Sequence, residues 1–240
     1  MLKIEDAQKL FQLTEGWIAI LYKMLLAYFE TNEVNELHEI QAIVKELFYE
    51  PLSDEIKAFL DCIAIFPDFT LELAEKMYKK EAGNLLSHLI NNNHLIFYDK
   101  AHNTYRFHYL FYTCMREHFD RLQKSKKKKI FHTAGAYYEQ QQQYKKAMAY
   151  YDLAESYDEL MLCFEINRNR DLDSLDLNDM ISYFQNCPIY IIKYHHMARL
   201  LLSLYLYSYN PVSYTHLDVY KRQAMCIMPI WTHTPPMRKR

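Results

Sequence analysis

The residue with the most chemistry to offer is His108, in the string Tyr105-Arg106-Phe107-His108-Tyr109-Leu110-Phe111. An imidazole between an aromatic strand and the apolar start of a helix can play one of two parts. It can carry a proton and meet a negatively charged group, which stabilises the protonated ring. It can equally be packed where strand meets helix, with a backbone carbonyl as its partner. Arg106, two residues back, would share a strand face with His108 and reads as a solvated residue.

The rest of the chain offers no catalytic constellation, and an enzyme is not expected. There is no metal-spaced set of His or Cys, no nucleophile motif and no acid pair with an evident partner. The three glycines, Gly16, Gly83 and Gly135, cannot be written into GxxxxGK[ST] or GxGxxG, so no phosphate loop is encoded. So few glycines also argue against a sandwich or barrel. The five cysteines (Cys62, Cys114, Cys163, Cys187, Cys226) show no CxxC spacing and read as reduced thiols of a cytosolic protein. A net charge of −2 gives no global pull toward nucleic acid or anionic membrane. The basic run 123–129, QKSKKKK, lacks interleaved aromatics and reads as a solvated helix start at a domain junction.

His108 must be positioned by the segments that flank it. Residues 94–98 are apolar and aromatic, 99–104 (DKAHNT) are turn-prone, and 105–107 alternate again, which predicts strand, tight loop, strand. Beyond it, Leu110, Phe111, Cys114, Met115, His118 and Phe119 fit one face of a helix. Upstream, 37–49 reads as a helix with Ile40, Ile43, Val44, Leu47 and Phe48 inward, ended by Pro51. Ser53 and Thr70 are N-cap candidates for helices reaching about Phe66 and Lys80, with Pro67-Asp68-Phe69 as a loop. Gly83 stops the chain before a helix over 84–91, and Asn91-Asn92-Asn93 forms a turn. Helices around a hairpin describe a winged helix. The helix in its recognition position carries no Arg or Lys, and Asn84, Ser87, His88 and Asn91 alone are a weak base reader.

The first 30 residues read as two helices broken at Thr14-Glu15-Gly16, with Ala7, Leu10, Phe11 and Leu13 as the first stripe and Trp17 as an anchor. Residues 32–36 read as a linker. Phe131, Ala134, Gly135, Tyr138, Ala147, Tyr151 and Ala154 match the tetratricopeptide intervals, in which small residues let two helices approach and tyrosines fill the gap. Helices are expected over 157–166, 179–185 and 189–207, with a loop at 167–173 and a break at Asn186-Cys187-Pro188. Residues 211–223, PVSYTHLDVYKRQ, back-translate to a transposase mosaic end and its inverted copy, so 211–240 is read as a non-native tail.

These strings carry a family resemblance. NHLIFY followed by RFHYLF resembles the close of the winged helix in MalT-like regulators of the LuxR family, which belong to the signal-transducing ATPases. LTEGW resembles the lid motif of that family, with Ile18 and Ile20 where the family has proline and glycine. MISYFQNCP resembles its early sensor repeats. The resemblance implies a mainly α fold: a lid-type helical segment at 1–45, a winged helix with one small β-hairpin at 46–122, and the start of a tetratricopeptide-like superhelix at 123–210. It implies that His108 senses the ADP phosphates in a longer parent using ATP and ADP as cofactors, while this fragment holds none. It also implies an inducer or protein ligand at the sensor repeats, and DNA contact only through a further C-terminal domain. Self-association of the parent, a cytoplasmic location and no membrane contact complete the expectation. The alternative is a tetratricopeptide interaction module with neither ATPase nor DNA-binding parts.

Overall fold

The computed structural model describes residues 2–14, 16–31, 33–34, 37–78, 81–93, 95–166 and 176–209. The loop expected at 167–173, most of the linker at 32–36 and the tail from 211 lie outside the described residues. The chain divides into two units, residues 1–133 and 134–240.

In the first unit, α1 (Ile4–Thr14) and α2 (Ile18–Thr31) meet at the expected corner. Gly16 takes φ +74°, the left-handed region that suits glycine, and a Cβ there would meet the Phe11 ring at 3.1 Å. Trp17 N–H donates to the Thr14 carbonyl at 2.9 Å to close the corner. Leu10, Ile20, Met24 and Tyr28 are buried, and the Tyr28 hydroxyl donates to Asp6 at 2.8 Å. Phe11 is not part of that inward stripe: it is 60% exposed, because α1 buries only the narrow side that carries Leu10 and Thr14.

Helix α3 (Leu37–Val44) does not run on as a regular helix. It passes into a π-helical turn, Lys45–Tyr49, closed by Glu50 N–H to the Lys45 carbonyl at 2.9 Å. A π turn inserts one extra residue and so rotates the next positions by about 100°. Leu47, expected inward, is therefore exposed, and Tyr49 is buried in its place.

The Ser53 hydroxyl accepts from Ile56 N–H at 3.3 Å and starts α4 (Asp54–Ile63), and the Thr70 hydroxyl accepts from Leu73 N–H at 3.2 Å and starts α5 (Leu71–Met77). Such caps contribute about 1 kcal/mol each. Ile56, Phe59, Leu60 and Ile63 are all buried, as their spacing predicts. Gly83 is no stop. It lies in the first turn of α6 (Ala82–Asn93), where helical N–H groups lack intrahelical partners anyway, and an added Cβ would make only an ordinary contact with Leu71. Asn91 to Asn93 likewise belong to α6, since the weak helix propensity of Asn is a small penalty against a packed helix that already buries Leu86 and Leu89.

The wing consists of β2 (Ile96–Asp99) and β3 (Thr104–Phe107), antiparallel, with Ile96 opposite Phe107. The residues expected to be a loop at Asp68-Phe69 instead form β1 (Asp68–Phe69), which pairs with the other edge of β3. The cause is aromatic: the Phe69 ring lies 5.7 Å from Tyr105 and 5.2 Å from Phe107. The single hairpin is thus a three-stranded sheet in the order β1-β3-β2. At the wing tip Asn103 takes φ 53° and accepts from the Tyr98 hydroxyl at 2.6 Å. Helix α7 (Tyr109–Asp120) comes next, burying Leu110, Phe111, Cys114, Met115 and Phe119.

Helix α8 (Lys124–Gln140) contains the unit boundary. In the second unit it meets α9 (Tyr144–Ala154) through Gly135: a Cβ there would lie 2.7 Å from the Tyr151 ring, so only glycine fits. The Tyr151 hydroxyl donates to Glu139 at 2.6 Å, and Tyr138 stacks on Tyr150 at 5.5 Å. The turn at 140–143 places Gln142 at φ 57°. Helix α10 (Tyr157–Ile166) packs on α9 and buries Leu160, Met161, Cys163 and Phe164. Helix α11 (Leu177–Asn186) ends at the expected break. The long helix expected over 189–207 is two, α12 (Ile189–Tyr194) and α13 (His196–Tyr209). The break is held by Glu165, whose carboxylate accepts from Ala198 N–H at 3.1 Å and lies 3.5 Å from the ring of His195, as an N-cap would.

Candidate functional site

His108 stands where β3 becomes α7. Its N–H donates to the Leu95 carbonyl at 3.0 Å, which carries the strand ladder one step past Phe107. Its own carbonyl accepts from Tyr112 N–H at 2.8 Å, the first turn of α7. The backbone is extended (φ −60°, ψ 134°) and the residue is only 4% exposed. Sheet and helix together therefore fix it on both sides.

Aromatic rings enclose the imidazole. Trp17 lies 4.5 Å from it, ring centre to ring centre, and Phe97 of the wing 6.1 Å. Trp17 also meets Phe48, in the π turn, at 4.4 Å. The structure thus joins the two segments that sequence singled out separately, the Thr-Glu-Gly-Trp corner and the close of the wing. Arg106 is exposed, opposite Phe97 and Asp68 across the sheet, whereas His108 is buried beyond the end of the strand. The two do not share an environment.

Sequence reasoning missed Phe48 and Phe97 as members of this enclosure, because Phe48 is turned there by the π turn, which leaves no periodic signal. It also missed a second polar cluster. Asp61 is buried on α4, with Lys126 Nζ at 2.6 Å and His118 Nε2 at 3.3 Å. The available signal was a lone acid inside the apolar run Phe59-Leu60-Asp61-Cys62-Ile63. Lys126 belongs to the basic run read as solvated; this one lysine of the run is instead an ion-pair partner of Asp61.

Among the described residues the thiols are not activated. Burial pushes Cys62 and Cys114 up to about 11, and Cys163 and Cys187 up to about 12. Among the described residues, no three His, Cys, Asp or Glu are placed to hold a metal ion, and no helix is long and apolar enough to cross a membrane. At the wing tip, the bond to His102 and the Ala101 N–H lower Asp99, and Asp99 raises His102.

Helices on either side of a small antiparallel sheet, with an aromatic strand running into a helix, define a mainly α protein containing a winged helix. Residues 44–127 match the family model of the MalT winged helix domain. That match contains His108, Phe48, Phe97 and the whole Asp61 cluster; Trp17 lies before it. No curated protein matches the chain.

Proposed function

We propose that this chain is part of an ATP-dependent, inducer-responsive transcription regulator of the MalT-like type, in which the winged helix couples nucleotide state to a tetratricopeptide-like sensor. The observation that carries this reading is the Trp17–His108 contact, which ties the lid-like corner to the segment similar to a MalT winged helix. The chain itself acts as a coupling element and not as an enzyme.

ADP needs a phosphate cradle, an adenine seat and a charged partner. The residues here fit only the last: His108 can offer one imidazole, while the glycines encode no cradle. In the parent, ATP or ADP would be held mainly by parts outside this sequence, and His108 would contribute a hydrogen bond to a phosphate of ADP. Because His108 is buried against Trp17, that bond requires the Trp17 corner to move aside. Corner and nucleotide would then compete for one ring, which is how occupancy becomes a change of shape. The inducer or protein ligand would act through the sensor repeats, and DNA through a further domain. The winged-helix match weighs against the alternative of a simple tetratricopeptide interaction module.

The test is made in the full-length parent. A hydrogen bond from a charged group to phosphate is worth about 1.5–3 kcal/mol, so His108→Gln is expected to weaken ADP retention at least about tenfold. Inducer-free transcription from a reporter should rise with it. Unchanged ADP retention with unchanged basal transcription refutes the role of His108.

A further inference from the structure

Helix α2 is apolar on two opposite faces. Ile20, Met24 and Tyr28 are buried, and α1 and α3 pack on the helix, as expected for an element held by one face. On the other face Ile18 is 80% exposed, Tyr22 60%, Leu26 44% and Phe29 63%. Their spacing of four, four and three residues sets these side chains in one row along the helix. A helix with apolar side chains on both faces is normally enclosed, and a row of large exposed ones marks an interaction surface.

The row is close to symmetric about its own middle. Leu26 lies midway between Tyr22 and Phe29, and midway between Lys23 and Glu30, to within half a residue in each case. Lys23 and Glu30 are the charged residues of α2, both exposed and, seven positions apart, on one flank of the row. A second α2 laid antiparallel across Leu26 would set Tyr22 against Phe29 and Lys23 against Glu30, each pair twice. A parallel copy would set like charge against like. The size suffices: at about 200 Å² for a large side chain, the four exposed fractions offer about 500 Å² per copy, or about 1,000 Å² for two, where specific interfaces begin.

We propose that the exposed face of α2 pairs with the same face of a second copy of this chain, antiparallel about a two-fold axis at Leu26. The four apolar side chains form the centre of that contact, and the Lys23–Glu30 pairs close one edge and fix its direction and register. The contact is isologous, so assembly stops at two copies. It rests on side chains of the first unit alone and holds whether or not His108 senses a nucleotide.

The test is sedimentation velocity on the full chain over about 1–300 µM, an interval suited to an interface of this size. The pairing predicts a monomer–dimer equilibrium within it. Leu26→Lys brings two cations to the axis and should raise the dissociation constant at least about tenfold, with far-UV circular dichroism unchanged. Charge reversal then checks direction. Lys23→Glu alone sets acid against acid and should weaken the dimer about tenfold, while Lys23→Glu combined with Glu30→Lys should restore it to within about twofold. Should Leu26→Lys not fold, the charge pair decides alone, since Lys23 and Glu30 are exposed. A monomer at every concentration leaves the face to another protein or to a further part of the parent, and overturns the pairing. So does a dimer indifferent to Leu26→Lys, or a double variant no tighter than Lys23→Glu.

Discussion

The two units solve the packing problem with different materials. Among the described residues, the buried side chains classed as polar or charged are Thr14, Asp61 and His108, and all three lie in the first unit. That unit joins its segments with rings and charges: Trp17 on His108, Phe69 on Tyr105, Asp61 on Lys126. The core of the second unit is apolar and depends on a small residue, with Gly135 letting α8 and α9 close on Tyr151. Apolar contact has no alternative partner to exchange with, whereas a hydrogen bond or ion pair can change partners. The contrast suits the proposed reading, in which contacts of the first unit change partners with nucleotide state and the repeats of the second keep a fixed shape for a ligand.

The sharpest way to break this comparison is to attack the scaffold at its tightest point. Gly135→Leu puts a branched side chain where even a Cβ would be 2.7 Å from an aromatic ring. Overpacking of this kind costs about 3 kcal/mol or more. Hydrogen exchange should show the second unit loosened throughout and the first unchanged. A stable second unit in this variant would mean that α8 and α9 do not meet as described.

Alkaline pH should strain both units. Among the described residues each unit holds two thiols that are raised by desolvation, to about 11 in the first and about 12 in the second. A raised thiol pKa means that the unfolded chain loses its proton first, so the stabilisation is complete below the unfolded value and is lost as pH rises toward the folded one. Stability should therefore fall above pH ~9, by about 1 kcal/mol per thiol near pH 10. Thermal melts at a series of pH values, resolved by unit with hydrogen exchange, check this. A flat profile to pH ~10.5 would show that the thiols are not buried as described.

Much of the fold was legible because it rests on local chemistry. Ser53 and Thr70 announce helix starts by residue type, and both cap as expected. The aromatic alternation around the wing fixes its register, and Gly135 with Tyr151 betrays a close helix contact at a characteristic interval. The features that escaped depend on contacts distant in sequence. A two-residue strand after a proline has no periodicity to read, and β1 exists because β3 offers it an edge. The break at His195 depends on Glu165, 30 positions earlier, and the π turn on packing that prefers Tyr49 inward. At the candidate site, His108 and Trp17 could each be picked out by type and motif. Their contact could not, because it joins residues 91 positions apart.

That contact is where the account is most exposed, and a double-mutant cycle measures it. Trp17→Ala, His108→Ala and the pair are compared by the unfolding free energy of the first unit. Rings in contact at this separation couple by about 0.5–1.5 kcal/mol beyond their separate losses. The account predicts a coupling in that range. Additivity within about 0.3 kcal/mol would show that corner and wing do not act together, and would remove the physical basis for reading this chain as a nucleotide-coupled hinge.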